Sequence, residues 1–565
     1  MKDTVNNRLM FVRLFVLAAF AAVLVKLLLI QVLDHRFYEE LSMDQRTSQV
    51  KLASDRGDIF DRNGVLLATS RDTFSVFVRP RAMEDKSRVR QELLRFFPER
   101  KGLIGEKFAK NSAFWLIRKT EKKRAEHAKS INSTEIDIFR EKKRVYPKGT
   151  FASQLIGTVG LDNDGLSGIE YGMDKYLRGI EGQYIFEKDV RGKQIATGTT
   201  RQIQRPTDGM DIYLTIDESI QYVAERELKK AVDKYHPDTA SIAVMDVRTG
   251  ELLAVASWPD FDPNNPSASP VKNWKLRPIT DMYEPGSTFK VITAAAGIQE
   301  GLFEPDSRVP CPARMEVGGR IISNSHAVKA KNPTLRDVIA ESLNTGTTYV
   351  SLKVGKEKFY SQIKSFGFGE RTGSGFPGEA RGLVPTPKKW HKSAEAMISF
   401  GQTLAVTPLQ MLAAVSSIAN SGILLRPHVV ARIESSDKTT VRGTSPEEIR
   451  RVVSDRTAEK VNDLMRGVVL KEHGTGHKAK LAQYSSAIKT GTAQKPMPGG
   501  GYIPMGSNNF IASVVGFVPS TKPRVAIIVV LDHPKGSIWG ATVAAPVFKE
   551  VGEFTLRYLE TPPDL

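Results

Sequence analysis

The sequence has a single cysteine, Cys311, so no disulfide can close within the chain, and cysteine usage leaves the compartment open. Cys311 lies in Val309-Pro310-Cys311-Pro312 without an activating motif beside it, and a structural role is expected. No apolar run beyond the N-terminal one is long enough to cross a membrane; the best later candidate, 525–531, has the length of a strand. No internal repeat shows between 38 and 207, which excludes a solenoid there. Acidic residues are in deficit, 63 against 81 Lys and Arg, for a net charge of +18. Such a balance suits a polyanionic partner.

Much of that surplus lies between 84 and 148, in runs such as Lys119-Thr120-Glu121-Lys122-Lys123-Arg124 and Arg140-Glu141-Lys142-Lys143-Arg144. These read as solvated helical faces or as a patch for anionic headgroups or wall polymer. Nucleic acid is not expected, because the N-terminus puts this region outside the cell. There, residues 9–33 are apolar except for Arg13, Lys26 and Gln31, long enough at 1.5 Å per residue to span a core of about 30 Å. No cleavage-like site follows, so an uncleaved anchor is expected. Lys2, Arg8 and Arg13 mark its N-terminal side as cytoplasmic, and Lys26 either snorkels or faces a partner helix. The chain beyond about residue 36 is then extracytoplasmic, in a single-pass protein of the cytoplasmic membrane.

The outer part divides near 206–217. Before it the sequence is mixed and charged, like a pedestal, with a turn-rich 56–64 segment leading into the strand-like Val65-Leu66-Leu67-Ala68. Beyond it, 212–216 reads as a strand, and Asp217 caps a helix beginning Glu218-Ser219-Ile220. Strand pairs are expected at 241–246 with 251–257 around Arg248-Thr249-Gly250, and at 510–517 with 524–531. With Ala-rich helical segments between them, this predicts an α+β fold whose antiparallel sheet is assembled from the two ends of the domain, covered by a helix over 544–559.

Three short motifs carry chemistry. Glu284-Pro285-Gly286-Ser287-Thr288-Phe289-Lys290 opens an apolar helix, which places the Lys290 amine on the face of the Ser287 hydroxyl. Lysine is a base at neutral pH only if burial, neighbouring cations or a helix N-terminus lower its pKa. Glu341-Ser342-Leu343-Asn344-Thr345-Gly346 offers a hydroxyl and an amide two residues apart on a turn. Ile488-Lys489-Thr490-Gly491-Thr492-Ala493 reads as a strand with one glycine inside, where another backbone, conceivably a substrate peptide, comes close. Each motif alone is weak.

Together, in this order, Ser-x-x-Lys, Ser-x-Asn and Lys-Thr-Gly resemble the motifs of penicillin-binding proteins and serine β-lactamases. With the anchor, the 56–64 element and Gly165-Leu166-Ser167-Gly168-Ile169-Glu170, the chain resembles class B penicillin-binding proteins over nearly its whole length. Glu284-Pro285-Gly286-Ser287-Thr288, Ser399-Phe400-Gly401 and Thr407-Pro408-Leu409-Gln410 are most similar to division-type transpeptidases and their sporulation relatives. The resemblance implies a tip and anchor at 1–35, a pedestal at 36–215 and a transpeptidase domain at 216–565. It implies that Ser287 attacks the penultimate D-Ala carbonyl of a peptidoglycan stem peptide, with Lys290 as base, Ser342 as proton relay and Asn344 on the substrate amide. Lys489 would set the electrostatics, Thr490, Gly491 and Thr492 would line the carboxylate site, and the N–H groups of Ser287 and Thr492 would form the oxyanion hole. No metal or organic cofactor is implied. The implied partners are stem-peptide donors and acceptors, β-lactam antibiotics, the membrane, and a SEDS-type glycosyltransferase with other division proteins, touched near Lys26 and 56–61.

Rival readings share these motifs. A β-lactamase needs a water-activating carboxylate, for which Glu370 and Glu379 are the nearby candidates; a D,D-carboxypeptidase passes the acyl group to water; a sensor or scaffold would show a broken motif, and none is broken. His326, His473 and His477 are expected in loop or surface roles, Gly474-Thr475-Gly476-His477 as a bend near the cleft, and Trp258, Trp274 and Trp390 either packed or lining it.

Overall fold

A computed structural model describes residues 2–52, 54–187, 195, 200–325, 332–495, 497, 501–502 and 509–565. It divides into two compact units, one formed by Met1–Asp55 with Gly179–Asp208, the other by Arg56–Arg178 with Gly209–Leu565.

In the first unit the helix Lys2–Leu28 runs on through a π-helical turn at Leu29–Leu33. An 18-residue window within Val5–Leu33 has a mean hydropathy of 2.6 and is not buried against protein, so this helix is long and apolar enough to cross a membrane, the one such helix among the described residues. The helix His35–Arg46 follows, and then a three-stranded antiparallel sheet in which Thr47–Leu52 pairs with Gly182–Glu187, itself paired with Thr200–Gln204.

The larger unit has two cores. The smaller forms where the long strand Leu66–Val78 pairs with Phe114–Thr120 and Ile136–Val145, and the helices Lys86–Phe96, Lys101–Ala109 and Lys122–Ile131 pack Leu93, Phe97, Ile104 and Ala125 against Val76, Leu116 and Ile136. The turn at 56–64 does enter a strand as its residues suggest, but it is not free surface. Arg56, 5% exposed, donates to Glu170 Oε2 and Asp174 Oδ1, both at 2.6 Å, and Arg144 donates to Glu170 Oε1 at 2.6 Å. Asp61, fully buried, accepts from the backbone N–H groups of Asn63, Val65 and Glu218. Within the 56–61 segment expected to touch a partner, the Arg56 and Asp61 side chains are thus spent inside the fold, Arg56 on distant Glu170 and Asp174, Asp61 on its own turn and on Glu218.

The larger core holds a five-stranded antiparallel sheet in the order Leu252–Trp258, Thr239–Asp246, Val525–Asp532, Phe510–Val518, Ala487–Gln494. Both ends of the domain contribute to it, as the two strand pairs predicted. Asp217 caps the helix Glu218–Tyr235 through the N–H groups of Ser219 and Ile220. That helix and the C-terminal helix Ala545–Tyr558, which buries Val547, Phe548, Val551 and Leu556, cover one side. On the other side lie the almost wholly buried helices Lys290–Gln299 and Pro408–Ala419. The last strand, Ala487–Gln494, has a neighbour on one side only.

Candidate active site

A cleft of about 910 Å³ runs along that edge strand. Thr490, Thr492, Ala493 and Gln494 form one wall, Ser287 and Gly286 the floor, and Ser342 with Asn344 the end. The sequence builds each piece locally. Gly286–Phe289 is a 3-10 turn that passes into Lys290–Gln299, so Ser287 stands at the mouth of a buried helix while Lys290 begins its first full turn. Gly286 has φ of +56°, and a Cβ there would lie 2.8 Å from Ala493 Cβ, so only glycine lets the turn sit against the strand. The turn is pinned by Gly286 N–H to Gly401 O at 3.0 Å, and by Glu284 Oε1, which accepts from Thr403 N at 3.0 Å and from the Tyr502 hydroxyl at 3.2 Å. The glycine of the third motif has a different neighbour from the one considered for it. A Cβ on Gly491 would meet Ser513 Oγ at 2.5 Å, Thr288 Cγ2 at 2.9 Å and Pro285 O at 3.1 Å, so the close approach comes from the adjacent strand and the chain's own nucleophile turn.

Ser342 falls between the helices Leu335–Ala340 and Asn344–Val354 with φ of +60°, a left-handed conformation that costs a non-glycine residue about 1–3 kcal/mol. That strain sets its hydroxyl between two amines. Lys290 Nζ lies 3.2 Å from Ser342 Oγ, and Lys489 Nζ donates to the same oxygen at 2.9 Å. Lys290 Nζ also donates to Ser342 O at 2.6 Å and to Asn344 Oδ1 at 2.7 Å, and Asn344 is held in turn by Nδ2 to Ser323 O at 2.8 Å.

Both lysines are fully buried. Burial first, and the Lys489 charge second, press the Lys290 amine well below the ordinary lysine range; burial lowers Lys489 to about 7. A neutral Lys290 has two hydrogens, matching the two oxygens that can only accept, Ser342 O and Asn344 Oδ1, and its lone pair is left to take a proton. A buried base, a hydroxyl between two amines and an edge strand lining the cleft make a site suited to acyl transfer through Ser287.

The penicillin-binding protein transpeptidase domain model matches residues 240–553, and the penicillin-binding protein dimerisation domain model matches 51–214. The chain belongs to the class B penicillin-binding proteins. It is 34% identical to stage V sporulation protein D of Bacillus subtilis over 99% of this chain and 87% of that protein. Against the peptidoglycan D,D-transpeptidase FtsI of Escherichia coli it is 31% identical over 92% and 87% of the two chains. The crystal structure of penicillin-binding protein 3 from Mycobacterium tuberculosis complexed with aztreonam superposes with a TM-score of 0.71, 27% identity, and coverage of 91% and 98%.

As in other penicillin-binding proteins, the three motifs converge: Ser287, Lys290, Ser342, Asn344, Lys489, Thr490, Gly491 and Thr492 all lie at the cleft or directly beneath it. Among the other candidates, Glu370 is tied to Lys364 and Arg450, Glu379 to Thr372 and Ser374, and neither lines the cleft. Trp258, Trp274 and Trp390 pack elsewhere. His326 lies outside the described residues. The bend at 474–477 does border the cleft, and it brings His477 with it; Thr475 Oγ1 accepts from Thr490 Oγ1 at 2.9 Å. Sequence reasoning missed Arg320, Ile321 and Trp539 in the cleft wall. An isolated arginine or tryptophan has no motif around it, and only the folded chain brings these three to the site.

Proposed function

We propose that this protein is a peptidoglycan D,D-transpeptidase that cross-links stem peptides during septal wall synthesis. The observation that supports this reading best is the pair of buried amines on the Ser342 hydroxyl, with no carboxylate bonded to either among the described residues. In the proposed reaction Ser287 Oγ attacks the penultimate D-Ala carbonyl and its proton passes to neutral Lys290. The tetrahedral centre, facing the N–H groups of Ser287 and Thr492, collapses to an ester as the C–N bond breaks. Ser342 delivers a proton to the departing D-Ala amine. Asn344 holds the substrate amide, while Lys489, Thr490 and Thr492 hold the terminal carboxylate along the edge strand, where Gly491 keeps the strand close to the nucleophile. An acceptor amine then attacks the ester, forming the cross-link and returning the proton to Ser287. No cofactor takes part in this scheme.

β-Lactams, as mimics of the donor peptide, acylate Ser287 in this reading. The two carboxylates considered for water activation lie off the cleft, which weighs against a β-lactamase. The division into an anchor at 1–35, a pedestal at 36–215 and a transpeptidase domain at 216–565 belongs to the same proposal. So do a cytoplasmic N-terminus, a single membrane pass, an extracytoplasmic catalytic domain, and a SEDS-type glycosyltransferase partner met through the anchor around Lys26.

Intact-mass spectrometry with labelled penicillin tests the site. A long-lived adduct that maps to Ser287 and is lost in Ser287→Ala supports the acyl-enzyme. Drug turnover without an adduct points to a hydrolase, and no reaction by a folded sample points to a scaffold.

A further inference from the structure

A second cavity, of about 370 Å³, opens away from the cleft, between 166–171 on one side and 271–280 with 376–378 on the other. Its rim is apolar and unusually open to solvent for such residues: Leu166, Tyr171 and Val271 are 49%, 59% and 69% exposed. Three adjoining exposed apolar side chains around a hollow mark a contact surface more often than bare solvent. The floor is rigid. Trp274 stacks on buried Phe261 with ring centroids 5.6 Å apart, and Phe376 is buried.

One further feature gives the groove a chemical preference. Among the residues that line it, Lys272 and Lys275 are exposed cations and none is acidic.

We propose that this groove binds a peptide segment of a partner protein in which acidic residues flank an apolar side chain. The apolar side chain enters between Leu166, Tyr171 and Val271, and the carboxylates meet Lys272 and Lys275. A lipid surface is disfavoured by the concave shape, and a second copy of this chain by its surplus of positive charge. The site is independent of the acyl-transfer reading, since none of its residues belongs to the three motifs.

Selection of a random-peptide library on the full chain in detergent tests this directly. The expected outcome is enrichment of Asp and Glu next to Leu, Phe or Trp, with binding weakened at least about tenfold in the Lys272→Glu/Lys275→Glu variant. That variant is expected to react with penicillin at the unaltered rate, which shows that it is folded. Enriched peptides without acidic bias, or peptides retained equally by the charge-reversed variant, overturn the proposal. Self-association of the chain that Val271→Asp abolishes would give the groove to a second copy and overturn it as well.

Discussion

Two buried clusters of charge sit in the larger unit and resolve the same physical problem in opposite ways. Around Glu170, two guanidiniums and two carboxylates neutralise one another: Arg56 and Arg144 grip both oxygens of Glu170, and Asp174 takes a second hydrogen bond from Arg56. Burial there pulls the Arg56 pKa down, but its carboxylate partners outweigh it and the net shift is upward. At the cleft, Lys290 and Lys489 are buried as completely, yet among the described residues their hydrogen bonds go to hydroxyl, amide and carbonyl oxygens, and both amines lose affinity for the proton. Paired charges make a joint; unpaired amines make a base. Burial alone does not decide between the two, and the presence or absence of a carboxylate does.

The comparison can be broken from either end. Lys290→Met removes the base, and penicillin acylation, followed by stopped-flow or gel fluorescence, is expected to fall by about 1,000-fold or more with the fold intact. Glu170→Gln leaves two buried guanidiniums facing a neutral amide, and chemical denaturation is expected to show a loss of about 3–5 kcal/mol, while the folded fraction still reacts at Ser287. Asn344→Asp carries the logic of the joint into the site: a carboxylate against Lys290 Nζ raises its pKa. Acylation at neutral pH should drop by about 10- to 100-fold and recover as the pH rises, whereas an unshifted pH profile would contradict the role given to the missing carboxylate. The smallest effect is on stability. Lys489 titrates at about 7 in the folded protein and at 10.5 when unperturbed, so between those values the unfolded chain binds the extra proton. Stability should therefore rise with pH across that window, and the slope should be shallower in Lys489→Met.

The chemistry was legible in the sequence where it is local. Ser287 and Lys290 are three residues apart on one helix face, Ser342 and Asn344 share a turn, and Lys489 to Thr492 share a strand; the order of the motifs then named the family. The paired strands at 239–258 and 510–532 were legible for the same reason, as β-rich runs on either side of a turn. What distance assembles was not. Arg56 and Asp61 sit in a turn-rich segment that looks exposed, and their burial depends on Glu170 and Glu218, far along the chain. The pairing of Thr47–Leu52 with Gly182–Glu187 joins stretches with no shared pattern. The neighbours that require glycine at 491 are Ser513 on the adjacent strand and Thr288 of the nucleophile turn, neither of them near in sequence, and no local rule points to them.

The order of strands in the main sheet also bears on how the protein is made. Thr239–Asp246 has as its inner partner Val525–Asp532, the last strand among the described residues, and Ala487–Gln494 joins the sheet there through Phe510–Val518. A growing chain that already carries Ser287, Lys290 and Ser342 therefore has no wall to hold them against until the C-terminal strands are added. Because contacts between such distant segments form slowly, the site should mature late and all at once. Truncation even a few dozen residues from the C-terminus should yield a protein with every motif present and no reactive serine.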